Sequence, residues 1–198
     1  MSEKFPELSF HSMPIGAGYA RPEQDFPGGL TPNSPALAAM TDLRRTTALT
    51  VERSNTLAAT RERMKKLGVR MLLVTGATGA VMGVITVTDL DSGRPEKIAA
   101  KTGEQADELL VQDIMTLRGR IEVLHLQDIA NASVGQVLNS LRRAGRRHAL
   151  VLDSGGAAEA QQICGIFSLT RLCGQIGLDI QPGEPIENIQ RALTGVLD

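Results

Sequence analysis

Two four-residue motifs, Thr86-x-x-Asp89 and Ser168-x-x-Arg171, each close a glycine-led apolar run and carry the most suggestive polar chemistry in the chain. A carboxylate at Asp89, after a strand and at the opening of a helix, can accept from both hydroxyls of a ribose cis-diol, with the Thr86 and Thr88 hydroxyls toward a sugar-phosphate. The same S/T-x-x-D/E spacing is a helix-capping signature, so both readings stand at this point. In the second motif Ser168 keeps the hydroxyl, Thr170 follows, and Arg171 replaces the acid. An arginine cannot accept from ribose. It can grip phosphate with Arg146, Arg147 and His148, because guanidinium groups match phosphate oxygens bidentately, or it can fill a cleft and leave it empty.

Other chemistry is poorly supplied. Val74-Thr75-Gly76-Ala77-Thr78-Gly79 imitates the glycine loop with which short-chain dehydrogenases cradle a dinucleotide pyrophosphate, but the next glycine, Gly83, falls one residue late and Met82 stands where backbone must approach phosphate. The only tyrosine, Tyr19, lies far upstream, so no Tyr-x-x-x-Lys pair exists and residues 75–79 read as a hairpin turn. His148 taken alone is more often a satisfied structural histidine than a ligand, and His11 and His125 have no visible partners. Cys164 and Cys173 sit among apolar residues, read as free core thiols in a reducing compartment, and form no metal-ligand spacing with histidine. Nucleophile, base and orienter cannot be assembled, which argues against an enzyme and against a catalytic cofactor or metal.

The bulk properties narrow the class further. A chain of 198 residues can bury a real core without disulfides. Lys+Arg 21 against Asp+Glu 22 is too balanced for affinity built on coating nucleic-acid phosphates, and the arginines at 142, 143, 146 and 147 read first as a solvated helix end. There is no basic-then-apolar start and no apolar run of about 18 residues, so a soluble, cytoplasmic protein without membrane contact is expected.

Beyond residue 36 the chain repeats itself. Met40-Thr41 returns as Met115-Thr116, Gly68 to Val74 as Gly145 to Val151, and Gly83 to Leu90 as Gly165 to Leu172, at offsets of 75, 77 and 82. The last increase predicts a longer hairpin in the second copy. Each copy reads strand, helix, strand, hairpin, strand, helix. Val134, Val137, Leu138, Leu141 and Ala144 share one helical face behind a Ser133/Gln136 capping box, Leu72 to Val74 and Ala149 to Leu152 read as buried strands, and Gly93-Arg94-Pro95 opens a connecting helix. Four boundaries follow: a Pro/Gly-rich arm or tail over 1–36, a first repeat with connector over 37–110, a second repeat over 111–180, and a C-terminal segment over 181–198.

The Asp113-Ile114-Met115-Thr116 lead-in, the Gly-x-Arg before an apolar strand and the closing glycine-led S/T-x-x-D motif, in duplicate and in order over residues 36 to 178, resemble the CBS family. The resemblance implies an α+β fold of two CBS repeats packed by their sheets about a pseudo-twofold axis, a Bateman module with two clefts. It implies binding of AMP, ADP, ATP or S-adenosylmethionine as a regulatory ligand, pairing into a homodimer, and modulation of a partner protein. By the same analogy adenine lies in a slot lined by Ile85 with Val69 or Met71, its edge read from Thr116 to Ile121, and Arg70 faces phosphate. The cleft holding Asp89 is then the stronger one, and the one holding Arg147, His148, Ser168, Thr170 and Arg171 the weaker. An interaction scaffold with vestigial clefts is the alternative.

Overall fold

Both halves of the chain write nearly the same series of elements, and the reasons are local. The computed structural model describes residues 29–155, 161–181 and 183–197; residues 1–28, most of the expected arm, and 156–160, in the longer hairpin, lie outside the described residues. The first series is α1 (Ala36–Ala39), β1 (Thr41–Asp42), β2 (Thr50–Glu52), α2 (Leu57–Leu67), β3 (Met71–Thr75), β4 (Val81–Thr86) and α3 (Val87–Leu90). A connecting helix, α4 (Arg94–Thr102), follows. The second series is α5 (Val111–Ile114), β5 (Thr116–Leu117), β6 (Val123–His125), α6 (Leu126–Ile129), α7 (Val134–Ala144), β7 (His148–Asp153), β8 (Gln162–Ser168) and α8 (Leu169–Gln175), closed by α9 (Ile186–Leu197).

The long helices start and stop where their end residues require. The Thr56 hydroxyl accepts from the Ala59 N–H at 3.2 Å to open α2, and Ser133 and Gln136 exchange hydrogen bonds across the first turn of α7. Both helices end on a left-handed glycine, Gly68 (φ 64°) and Gly145 (φ 62°), which turns the chain straight into the inner strand β3 or β7. The expected nucleotide-like loop is a hairpin turn, in which Gly79 donates to the Gly76 carbonyl at 2.9 Å and Gly76 to the Ala80 carbonyl at 3.0 Å.

Two four-stranded sheets result, in the orders β1-β8-β7-β6 and β2-β3-β4-β5. Each short lead-in strand pairs with the hairpin of the other series: Thr41 and Asp42 lie against Ile166 and Gly165, and Thr116 and Leu117 against Val84 and Gly83. The preceding segments are exchanged too. Ala36 N–H bonds the Ala132 carbonyl at 2.9 Å and Val134 N–H the Ser34 carbonyl at 2.8 Å, while Val111 N–H bonds the Asn55 carbonyl at 2.9 Å and Leu57 N–H the Leu109 carbonyl at 2.8 Å. The repeat unit in sequence and the packed unit in space therefore differ: residues 36–42 pack with the second series and 109–117 with the first.

Burial follows this crossing. One core joins Ala36, Ala39 and Met40 to Leu138, Leu141, Phe167 and Leu172, with Ile189 and Leu193 of α9 closing it. The other joins Val111, Ile114 and Met115 to Leu57, Leu72, Val74 and Ile85. A third, thinner layer of Met71, Leu73 and Leu150, with Val84, Ile163 and Ile166 beside them, lies between the two sheets.

The exchange explains the glycine that leads each closing motif. A Cβ at Gly83 would overlap the Thr116 carbonyl oxygen of the incoming strand, and one at Gly165 would overlap the buried Met40 side chain. Backbone cannot retreat as a flexible side chain can. Gly83→Ala is therefore expected to lower the unfolding free energy by about 1–3 kcal/mol, the usual cost of overfilling a packed site. Gly119→Ala, whose Cβ meets nothing within 4 Å, should stay within about 0.5 kcal/mol of the parent. Urea titration followed by circular dichroism compares the two, and an unmoved Gly83→Ala midpoint contradicts the close approach.

Candidate functional site

The chain passes between the two sheets in two short segments, residues 43–49 from β1 to β2 and 118–122 from β5 to β6. Beside the first opens a cleft of about 1180 Å³, with walls taken from both repeats. Val69, Arg70 and Met71 lead into β3, Arg147 and His148 lead into β7, and Ser168, Thr170 and Arg171 come from the end of β8 and the first turn of α8. The arrangement has a simple origin. Arg70 and Arg147 each precede an inner strand, and their carbonyls accept from Val87 N–H (3.0 Å) and Leu169 N–H (2.8 Å), which ties each arginine to the closing motif of its own repeat.

The structure thus brings together residues that the sequence had divided between two clefts. Ile85 is fully buried in the core with Leu72 and Val74 and does not line this cleft. Thr116 is half-buried in β5, paired with Val84. Ile121 lines a second, smaller opening of about 610 Å³ toward the hairpin end, beside Arg118. Thr88 is exposed on α3.

Thr86 and Asp89 form a reciprocal cap. The Asp89 Oδ2 accepts from the Thr86 N–H at 2.8 Å and its hydroxyl at 2.7 Å, while the Asp89 N–H points to the Thr86 Oγ1 at 3.2 Å. The second repeat lacks this lock, because Arg171 offers no acceptor and Ser168 caps nothing. Instead the Arg171 Nη1 donates to the Thr41 Oγ1 at 3.1 Å, on the exchanged strand. Arg147 donates to the Glu184 carbonyl. Burial pulls the Arg171 guanidinium below its ordinary pKa.

Several wall residues carry no motif and escaped the sequence reading. Thr46, Thr47 and Leu49 belong to the crossing segment, and Arg61 and Lys65 stand four apart on α2, with Asp91 near them. Arg61 pairs with Asp91 at 2.6 Å. The i,i+4 spacing of Arg61 and Lys65 was readable, but it resembles any solvated helix face. Nothing in the sequence said which helix face would look into a cleft.

The two cysteines are shifted by burial as well. Burial raises the Cys164 thiol, and pushes Cys173 up to about 11, so neither is a thiolate near neutrality. No group of three or more His, Cys, Asp or Glu among the described residues is placed to hold a metal ion, and no described helix is long and apolar enough to cross a membrane.

His148 carries the largest electrostatic consequence. Burial, then the charges of Arg147 and Arg70, lower it from 6.5 to about 4, so the ring is neutral in the folded protein near pH 7. Between pH 6.5 and about 4 the unfolded chain holds the proton that the folded chain refuses, and stability falls as pH falls, by at most about 1.4 kcal/mol per pH unit. His148→Asn should flatten that part of the stability profile. Denaturant midpoints from pH 7 to pH 4.5 measure it, and parallel profiles for the two proteins refute the neutral histidine.

Comparison with known proteins shows what this geometry resembles. The family model of the CBS domain matches residues 40–93. No curated protein matches the chain. Among solved structures, an uncharacterized conserved protein from Pyrococcus horikoshii superposes with a TM-score of 0.55 at 21% identity, covering 78% of this chain and 100% of its own. A CBS-domain containing protein from Agrobacterium tumefaciens gives 0.53 at 19%, covering 73% and 94%. The CBS domain of a bacterial CNNM/CorC family Mg2+ transporter, solved in complex with ATP, gives 0.52 at 19%, covering 75% and 91%. At such identities the likeness is one of fold, and that fold agrees with the duplicated elements and the exchanged strands: residues 40–93 match the CBS-domain family model, and the chain as a whole has the Bateman-type α+β fold of tandem CBS-domain structures.

Proposed function

We propose that this protein is a regulatory module that binds an adenine nucleotide in the cleft of about 1180 Å³ and acts on a partner protein through the resulting change in arrangement, without catalysing a reaction itself. The observation that carries the reading is the composition of the cleft wall. Apolar side chains (Leu49, Val69, Met71) that suit a base lie with cations (Arg70, Arg147, Arg171) that suit phosphates, on elements of both repeats. A ligand there touches both sheets and the segment crossing between them, so it stabilises one relative placement of the repeats. Only such differential binding shifts an equilibrium. The ATP bound by the transporter's CBS domain lends support by fold alone.

Asp89 supports a more limited role than the motif suggested. Its Oδ2 is occupied by Thr86, and its Oδ1 has no hydrogen bond or ion pair among the described residues, so a ribose at this turn would meet one oxygen. That observation favours capping at Asp89 and supports a principal site on the Arg171 side. The proposal extends to a homodimer in the cytoplasm, as the family pattern implies, with a regulated protein as reader.

Two measurements test this. Thermal unfolding with AMP, ADP, ATP, S-adenosylmethionine and NAD should show a rise for at least one adenylate, worth about 2.7 kcal/mol at a hundredfold excess over Kd. Arg70→Gln should weaken that ligand about tenfold or more, as expected for a lost charge-assisted contact, while Asp89→Asn leaves its affinity within about threefold and instead lowers the ligand-free melting temperature, as loss of a cap does. A panel without any shift sinks the reading. Sedimentation should give a dimer at micromolar concentration; a 21.2 kDa monomer with and without nucleotide contradicts the pairing.

A further inference from the structure

We infer that the wider cleft selects its ligand by phosphate charge and not by the ribose diol, and that Arg171 sets this preference; the inference rests on the nucleotide reading above. Among the described residues, five cationic side chains line the cleft (Arg61, Lys65, Arg70, Arg147 and Arg171) against a single carboxylate, Asp91. That carboxylate is held by Arg61 at 2.6 Å. The chain as a whole has a formal net charge of −1, so the excess positive charge belongs to the cleft and not to the protein at large. The diol of a ribose gains most from a charged acceptor, because charge-assisted hydrogen bonds are roughly twice as strong as neutral ones. Here, apart from Asp91, which Arg61 holds, the side-chain acceptors among the described residues of the wall are hydroxyls, such as those of Thr46, Thr47, Ser168 and Thr170.

Arg171 occupies the place that Asp89 holds in the first repeat, which reverses the chemistry of the turn. Its guanidinium is kept near the exchanged strand by Thr41. Burial disfavours its charge, and the same holds more strongly for a proton on His148 between Arg70 and Arg147. An anion relieves both, and each further phosphate relieves more. The Arg70 guanidinium has no hydrogen bond or ion pair among the described residues, and so reaches a ligand without first breaking a contact. A ligand with two or three linked phosphates is therefore favoured over a monophosphate, and removal of a ribose hydroxyl costs little.

Calorimetry on the full chain at about 0.15 M salt, where only close charges still act, with ATP, 2′-deoxy-ATP, AMP and inorganic tripolyphosphate, tests this. ATP and 2′-deoxy-ATP are expected to agree within about twofold, and both to exceed AMP about tenfold or more, the scale of one charge-assisted contact. Arg171→Gln should shrink the gap between ATP and AMP, Arg171→Lys should preserve most of it, and Arg171→Asp should create discrimination between ATP and its deoxy form. Strong preference of the unmodified protein for ATP over 2′-deoxy-ATP, or AMP binding as well as ATP, overturns the inference while leaving the nucleotide reading intact. Binding of tripolyphosphate with no adenylate bound defeats the nucleotide reading and upholds charge selection. If nothing in the set binds, both fall.

Discussion

The carbonyl of Thr116 lying against Gly83, with Met40 against Gly165 in the mirror position, is the contact on which the rest of the architecture depends. Each sheet is completed by a two-residue strand from the other repeat, and each core is closed by the segment that precedes that strand. A two-residue strand contributes few hydrogen bonds of its own. What holds it is the burial of Met40 with Ala36 and Ala39, and of Met115 with Val111 and Ile114, at apolar transfer free energies of about 25 cal/mol per Å². The two repeats thus stand or fall as one cooperative unit, and the clefts between them inherit their shape from the crossing segments.

Much of this fold was legible because it is written twice. The helix over Val134–Ala144 was visible in its apolar spacing and capping box, the strands in short apolar runs, and the connecting helix in Pro95 at its first turn. The hairpin nature of residues 75–79 was also readable, since the glycine spacing failed the dinucleotide pattern. The strand exchange was not. Thr41 and Thr116 look alike in sequence and carry no mark of the sheet they join, because pairing partners far apart in the chain, Thr41 with Ile166 and Thr116 with Val84, leave no local signature. The glycines hint at it only in retrospect: small size before an apolar strand says that something approaches closely, not what.

The site divides the same way. Val69, Arg70, Met71, Arg147, His148, Ser168, Thr170 and Arg171 were all singled out by type and position, and the structure sets them around one cavity. Their grouping was not readable, because it depends on how two sheets oppose each other. The walls from α2 and from residues 43–49 were missed for a related reason: Arg61, Lys65 and the threonines have compositions ordinary for exposed surface. Asp89 shows the reverse limit, a residue whose motif fits two kinds of chemistry and whose contacts in the folded chain are those of a cap.

The exchanged strands also bear on how the protein comes into being during translation. Thr41 and Asp42 are synthesised early, whereas their partners Gly165 and Ile166 emerge only after the whole of the first repeat and most of the second. At about 5–20 residues per second, the apolar edge of Met40 waits on the order of ten seconds outside the ribosome without its sheet. The first repeat waits too, more briefly, for Val111 to Leu117. A chain arrested at the connector would expose Val84, Ile85 and their neighbours as an open strand edge, the kind of surface that aggregates or recruits a chaperone. Truncated forms of this protein are therefore expected to be liabilities for the cell rather than half-strength modules.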